Sequence, residues 1–280
     1  MENHKLKPTI LITGCSTGIG RYCAEQLHLL GYLVIASCRN PDDVTQLRSQ
    51  GLHCVLLDVT KSDSIQSGLQ ETLAITGGRL DVLFNNAAYG QGGAIEDLPT
   101  DALRAQFETN LFGLHELTRA VLPIMLEQGN GKIVQNSSVL GLVAMKYRGA
   151  YVASKFALEG YTDALRLELM NTNISVSLIE PGPIVSQFRA NSLRAVKAFI
   201  DVEGSRHNKS YEKTLARLSS ETSSTPLTLG PEAVLKPLLN ILDSQCPKPR
   251  YYVTKATYIF GYLRRVLSSR WLDRVVGKGS

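Results

Sequence analysis

Two rhythms organise the chain: short unbroken apolar runs, and longer stretches whose apolar residues recur three or four apart. The first run, Thr9-Ile10-Leu11-Ile12-Thr13, lacks polar alternation and predicts a strand buried on both faces of a parallel sheet. A helix over 21–30, stopped by Gly31, and a second buried strand over 33–36 follow. The pattern then predicts strands over 54–57 and 80–84, helices over 62–75 and 100–128, a strand ending at Ile133-Val134, a helix through Tyr151 to Asn171, and a strand over 174–179. Strands alternating with helices in this way specify an α/β, single-domain doubly wound Rossmann fold, with a parallel sheet of about seven strands and helices on both faces.

Past residue 186 the pattern loosens. Residues 188–200 read as an amphipathic helix and 201–226 as a polar, basic loop. A helix over 228–242, with Pro231 near its start, and a last strand in KPRYYVT complete the domain. The tail over 258–276 sets Ile259, Leu263, Val266, Leu267, Trp271, Leu272 and Val275 among Arg264, Arg265, Arg270 and Arg274. Such a pattern suits either a membrane-surface helix or a helix packed on the domain; packing is the simpler expectation, and the arginines interrupt the run too often for it to span a bilayer. The chain thus divides into a core over 7–186, a cover over 187–226 and an extension over 254–280.

Composition narrows the field. With 280 residues, 44% of them hydrophobic, the chain can bury one large core. A net charge of +5, spread along the sequence, does not argue for nucleic acid. Five cysteines with no Cys-x-x-Cys pair fit reduced thiols in the cytoplasm better than disulfides or zinc, so no metal site is expected. The start, MENHKLKP, leads into only a few apolar residues, so neither a signal peptide nor an N-terminal membrane span is expected.

Three stretches carry candidate chemistry. The first strand runs into Gly14-Cys15-Ser16-Thr17-Gly18-Ile19-Gly20 and then a helix, so the glycines sit where a tight βα turn lets the backbone approach a pyrophosphate. A plain tight turn is the other reading. After the second strand comes Ser37-Cys38-Arg39-Asn40, with no carboxylate before Asp42 to bond a ribose 2′-hydroxyl. Arg39 could instead fork onto a 2′-phosphate, unless it is an ordinary surface arginine. Asp58-Val59 and Asn85-Asn86 end two strands at the carboxyl edge where open α/β sheets bind ligands, and Asn110 falls mid-helix, where its poor propensity implies a bonded partner.

Ser138 follows the strand ending at Val134, with Tyr151 thirteen residues on and Lys155 one helical turn later. A cation roughly 4 Å from a phenol, at an effective dielectric near 20, favours the phenolate by about 4 kcal/mol. That could lower the usual pKa of about 10 by one to three units. Tyr251 and Lys255 share the spacing, but Tyr251-Tyr252-Val253-Thr254 reads as a strand, which would separate them.

Together, Thr13-Gly14-x-x-x-Gly18-x-Gly20, Asn86-Ala87, Asn110, Ser138, Tyr151-x-x-x-Lys155 and Pro181-Gly182 resemble the short-chain dehydrogenase/reductase family over roughly residues 7–190. GCSTGIG, the Cys-Arg after the second strand and LIEPGPI are most similar to bacterial NADP-dependent aldehyde reductases and to the hydroxysteroid and retinol dehydrogenase branch. The resemblance implies NADP(H)-dependent reduction of an apolar aldehyde or ketone, or the reverse oxidation. A hydroxysteroid or retinol dehydrogenase is the alternative, and a dinucleotide-sensing protein without chemistry a more distant one. It implies that Tyr151 is the general acid, that Lys155 lowers its pKa and bonds the nicotinamide ribose, that Ser138 orients the carbonyl, and that Asn110 holds a relay water. Gly14, Ser16, Thr17, Gly18, Ile19 and Gly20 would hold the pyrophosphate and ribose. Asp58, Val59 and Asn86 would border the adenosine; Ile184 and Ser186, after Pro181-Gly182, would meet the nicotinamide and phosphates. Ala88 replaces the family's usual glycine, which puts that turn's geometry in question. A homodimer or homotetramer, a cytoplasmic location and a cover that moves over the substrate are further implications.

Overall fold

A computed structural model of the chain describes residues 7–219 and 227–278. Seven strands form one sheet: β1 (Thr9–Ile12), β2 (Leu33–Cys38), β3 (His53–Leu56), β4 (Val82–Asn85), β5 (Gly131–Asn136), β6 (Ile174–Glu180) and β7 (Arg250–Tyr252). Their order is β3-β2-β1-β4-β5-β6-β7, every pair parallel. The order reverses between β1 and β4, the switch point where a crevice opens beyond the strands' carboxyl ends.

Strand β1 shows why its sequence is apolar throughout. Ile10 and Ile12 enter one core with Leu27 of α1 (Gly18–Leu29) and Val234 and Leu238 of α9 (Glu232–Asp243). Leu11 points the other way, toward Ile65 of α3 (Ser62–Thr76), Leu117 and Val121 of α5 (Gly113–Gln128) and Leu165 of α6 (Gly149–Glu168). Each such side chain, fully removed from water, contributes roughly 1.5–3 kcal/mol.

Four features differ from the sequence reading. Helix α2 (Pro41–Ser49) was not expected, although Asn40 accepts from Asp42 N at 3.1 Å, Pro41 fills the first turn and Asp42-Asp43 complement the helix dipole. The long helix over 100–128 is instead α4 (Thr100–Phe107), a π-helical turn (Glu108–Phe112) and α5. After the expected amphipathic helix α7 (Phe188–Phe199), the segment read as loop contains α8 (Asn208–Ser219), which buries Tyr211 and Leu218; residues 220–226 of that segment lie outside the described residues. The tail breaks at Leu267-Ser268 into α10 (Lys255–Val266) and α11 (Ser269–Lys278). Helix α10 packs through Ala256, Thr257 and Gly261, and the Arg264 guanidinium stacks on Phe156 at 4.6 Å from the ring centroid. The exposed side of the tail carries Tyr258, Ile259, Tyr262, Val266, Trp271 and Val275, so α10 is packed on one face and apolar on its outer one. No helix of the described residues is long and apolar enough to cross a membrane.

Candidate active site

The glycine turn leaves β1 at Gly14, whose φ of +72° and separation of only 2.9 Å between a hypothetical Cβ and Ala87 Cα leave no room for a side chain. Gly20 is equally constrained, since a Cβ would collide with Gly14 O and Asn86 Nδ2. Helix α1 then begins at Gly18. Its Thr17 cap makes no side-chain hydrogen bond, and its first turn holds no acid. The first N–H groups therefore have no side-chain acceptor and face the crevice with the positive end of the helix dipole, which suits a pyrophosphate. Ser16, Thr17 and Ile19 lie in this turn, and Ser186 sits against Gly18, its Cβ 3.0 Å from a Cβ there, so the segment after β6 returns over the turn.

The other dinucleotide candidates flank the same edge. Arg39 is exposed at the end of β2, and its positive charge acts on Tyr89, which follows β4, so the guanidinium lies on the crevice side. Asp58 Oδ1 accepts from Thr60 N at 3.0 Å and Thr60 Oγ1 at 2.8 Å, leaving Val59 buried beside it. Asn86 Nδ2 donates to Thr13 O at 2.9 Å, and Asn86 N donates to Thr13 Oγ1 at 2.9 Å. Ala88 has an ordinary backbone, so this turn needs no glycine there. Pro181 O accepts from Val139 N at 2.8 Å, Gly182 packs under Thr254, and Ile184 bridges to Leu229.

Four candidate catalytic side chains converge beyond β4 and β5. Ser138 caps a short 3-10 turn, its Oγ accepting from Leu140 N at 3.1 Å, and its hydroxyl acts on the Tyr151 phenol. Lys155 donates to Asn136 O at 2.7 Å and lies 5.8 Å from the Tyr151 ring centroid. Asn110, in the π turn, donates to Ser154 Oγ at 3.1 Å and Tyr89 O at 3.1 Å and accepts from Tyr89 N at 3.2 Å. The mid-helix asparagine thus has its partners, and they are protein groups that tie α6 to the segment after β4. Tyr251 and Lys255 are separated as expected, one in β7 and the other beginning α10.

The electrostatics depart from expectation. Burial pushes the Tyr151 phenol up to about 12, while the Ser138 hydroxyl and the charge of Arg148 pull the other way. The Lys155 ammonium, 5.8 Å from the ring centroid, does not offset that burial. Burial instead brings Lys155 down to about 8, opposed by Glu159. Behind the site, Ser137 Oγ donates to Glu159, and Arg250 binds Glu159, Glu180 and Asp163, with Glu180 2.8 Å away. Burial and the neighbouring Glu159 raise Glu180 to about 8, with Arg250 opposing. The sequence reading missed Arg148, Asn136 and this acid cluster, because no local pattern links β5, α6, β6 and β7.

A family model described as short chain dehydrogenase matches residues 8–197. The chain is 40% identical over 271 residues to the uncharacterized oxidoreductase YbbO of Escherichia coli, covering 97% of this chain and 94% of that one. It is 35% identical over 252 residues to retinol dehydrogenase 8 of Bos taurus, covering 86% and 80%. The fold also matches a serine dehydrogenase crystallised with NADP+, at 25% identity and a TM-score of 0.73, over 89% of this chain and 95% of that one.

Proposed function

The chain belongs to the short-chain dehydrogenase family, and on that premise we propose that it reduces an apolar aldehyde or ketone with NADPH, Tyr151 supplying the proton. It is an oxidoreductase of CH–OH and carbonyl groups, and its cofactor is a nicotinamide dinucleotide. The observation that carries the proposal is the buried phenol of Tyr151 beside Ser138, at the same sheet edge as the glycine turn.

A nicotinamide ring bound at this edge supplies or accepts the hydride. Ser138 holds the carbonyl oxygen, and the Tyr151 hydroxyl gives that oxygen its proton, so carbonyl, hydride and proton yield the alcohol. Burial keeps the phenol protonated at neutral pH, as an acid in reduction must be. The buried Lys155 ammonium is anchored to Asn136 O and would bond the nicotinamide ribose. Phe188 packs edge-on against Tyr151 with centroids 5.4 Å apart, so α7 covers one side of the phenol. Arg39, with no acid before Asp42, supports NADP(H) over NAD(H).

The similarity to retinol dehydrogenase 8 favours, as a second reading, oxidation of a long apolar alcohol. Assaying aldehydes, ketosteroids and retinoids with NADPH and NADH separates the two. Turnover confined to retinoids would replace the first reading with the second; no turnover of any carbonyl would refute both. Assembly into a homodimer or homotetramer is supported by the exposed apolar side chains of Phe112 at the end of the π turn, Leu126 in α5, Leu167 in α6 and Met170 just after it, and a monomeric mass in solution would refute it.

A further inference from the structure

Arg148 caps α6 three residues before Tyr151, on the same side of the helix start. Its backbone bridges to Gly93, and a Cβ on Gly92 would lie 3.9 Å from a terminal guanidinium nitrogen. The residue before it, Tyr147, has φ +60°, the only non-glycine positive φ among the described residues. Such a backbone is strained and persists only where packing enforces it. Here the Tyr147 ring stands 5.4 Å from His207 and 5.9 Å from Tyr211, and His207 Nε2 lies 3.0 Å from Glu96. The cover thereby fixes where the Arg148 side chain leaves the main chain.

No acid among the described residues pairs with Arg148. Among the described residues it makes no side-chain hydrogen bond and no ion pair, and the charged or titratable groups facing it are Arg217, Tyr151 and Arg189. Burial, helped by the two cations, lowers its pKa to about 10. A sheltered guanidinium ringed by like charge is costly unless an anion completes it. Beside it, Phe188 and Val196 press on Gly90 and Gly92, and the buried Ser192 Oγ, next to Gly90, has no partner among the described residues.

We propose that the carbonyl substrate bears an oxyanion, a carboxylate in the simplest case, which Arg148 binds while Phe188 and Val196 cover the apolar part. This rests on the carbonyl-reductase reading and adds the substrate's charge. The bidentate fork of arginine matches a carboxylate in a way lysine cannot.

The test measures kcat/KM with NADPH for oxo acids of increasing chain length, from glyoxylate through succinic semialdehyde to longer ω-oxo acids, against neutral aldehydes of equal length. At the best length the wild type should prefer the acid by about 10- to 100-fold. Arg148→Met should abolish that ratio, and Arg148→Lys should retain part of it. A wild type that prefers the neutral aldehyde at every length overturns the proposal without needing either variant, as does a preference that survives Arg148→Met. Calorimetric titration of the NADP+-loaded wild type with carboxylates and matched amides probes the same contact independently of turnover. Tighter carboxylate binding supports the site even if no carbonyl is reduced; equal binding refutes it even if carbonyls are.

Discussion

Asn136 Nδ2 donates to Asn86 Oδ1 at 2.8 Å, and this one bond joins the two halves of the site. Asn86 holds Thr13 and Gly14 of the glycine turn, while the Asn136 carbonyl receives Lys155. A chain of hydrogen bonds thereby connects the cofactor turn to the catalytic helix. Asn86→Ala should leave buried acceptors on Thr13 and Gly14 unpaired, lowering stability by about 1–3 kcal/mol in urea denaturation. It should also weaken NADPH binding about tenfold, read by fluorescence titration; unchanged affinity would show that the turn keeps its shape alone.

Arg39 should decide between the two dinucleotides. Removing a charge-assisted contact to a 2′-phosphate costs roughly 1.5–3 kcal/mol, so Arg39→Ala should cut the NADPH/NADH ratio of kcat/KM by about 10- to 100-fold. A ratio that does not move dismisses this role.

Lys155 is held at an energetic cost. Burial lowers its pKa from 10.5 to about 8, which at roughly 1.4 kcal/mol per pH unit corresponds to about 3 kcal/mol against the native state near neutral pH. The unfolded chain binds the proton more tightly, so this penalty fades as pH rises from about 8 toward 10.5. Lys155→Met should therefore be inactive yet more stable than the wild type at pH 7, with the gap narrowing by about pH 9.5 in parallel urea melts. A less stable variant at pH 7 would mean that the bond to Asn136 outweighs the burial of charge.

The tail's exposed apolar face leads to a prediction of peripheral attachment to an anionic membrane. Tyr258, Ile259, Tyr262, Val266, Trp271 and Val275 lie outward among arginines, and Arg274 stacks on Trp271 at 4.8 Å. Because α10 packs on the domain, the informative truncation comes after Val266. The full chain should float with phosphatidylserine liposomes and release in high salt, and the truncated chain should not float. No flotation by the full chain refutes attachment, and equal flotation of the two would assign it to the α10 face that the truncation keeps and not to α11.

Local chemistry explains what the sequence disclosed. The unbroken apolar run at Thr9–Ile12 announces a buried parallel strand, and the Ser138, Tyr151, Lys155 spacing reflects one strand end and one helical turn. Helix α2 was equally legible in Asn40-Pro41-Asp42-Asp43, a complete helix start masked by a mostly polar body. In α8 the buried Tyr211 and Leu218 are likewise diluted among charged neighbours. The π turn at Asn110 and the strained Tyr147 had no such signal, for both are enforced by distant packing: Tyr89 and Ser154 on one side, His207 and Tyr211 on the other. The same holds for the titration of Tyr151. Sequence spacing brings Lys155 near the phenol, but only the fold reveals that burial outweighs the charge and that Arg148 is the opposing cation.

The most direct test of the whole account is Tyr151→Phe, which removes one oxygen and keeps the ring packed against Phe188. With the best carbonyl substrate and NADPH, kcat should fall at least about a hundredfold, the scale of general acid catalysis, while NADPH affinity stays within about threefold. Turnover by the variant at the wild-type rate, with cofactor binding intact, would contradict the assignment of the proton to Tyr151.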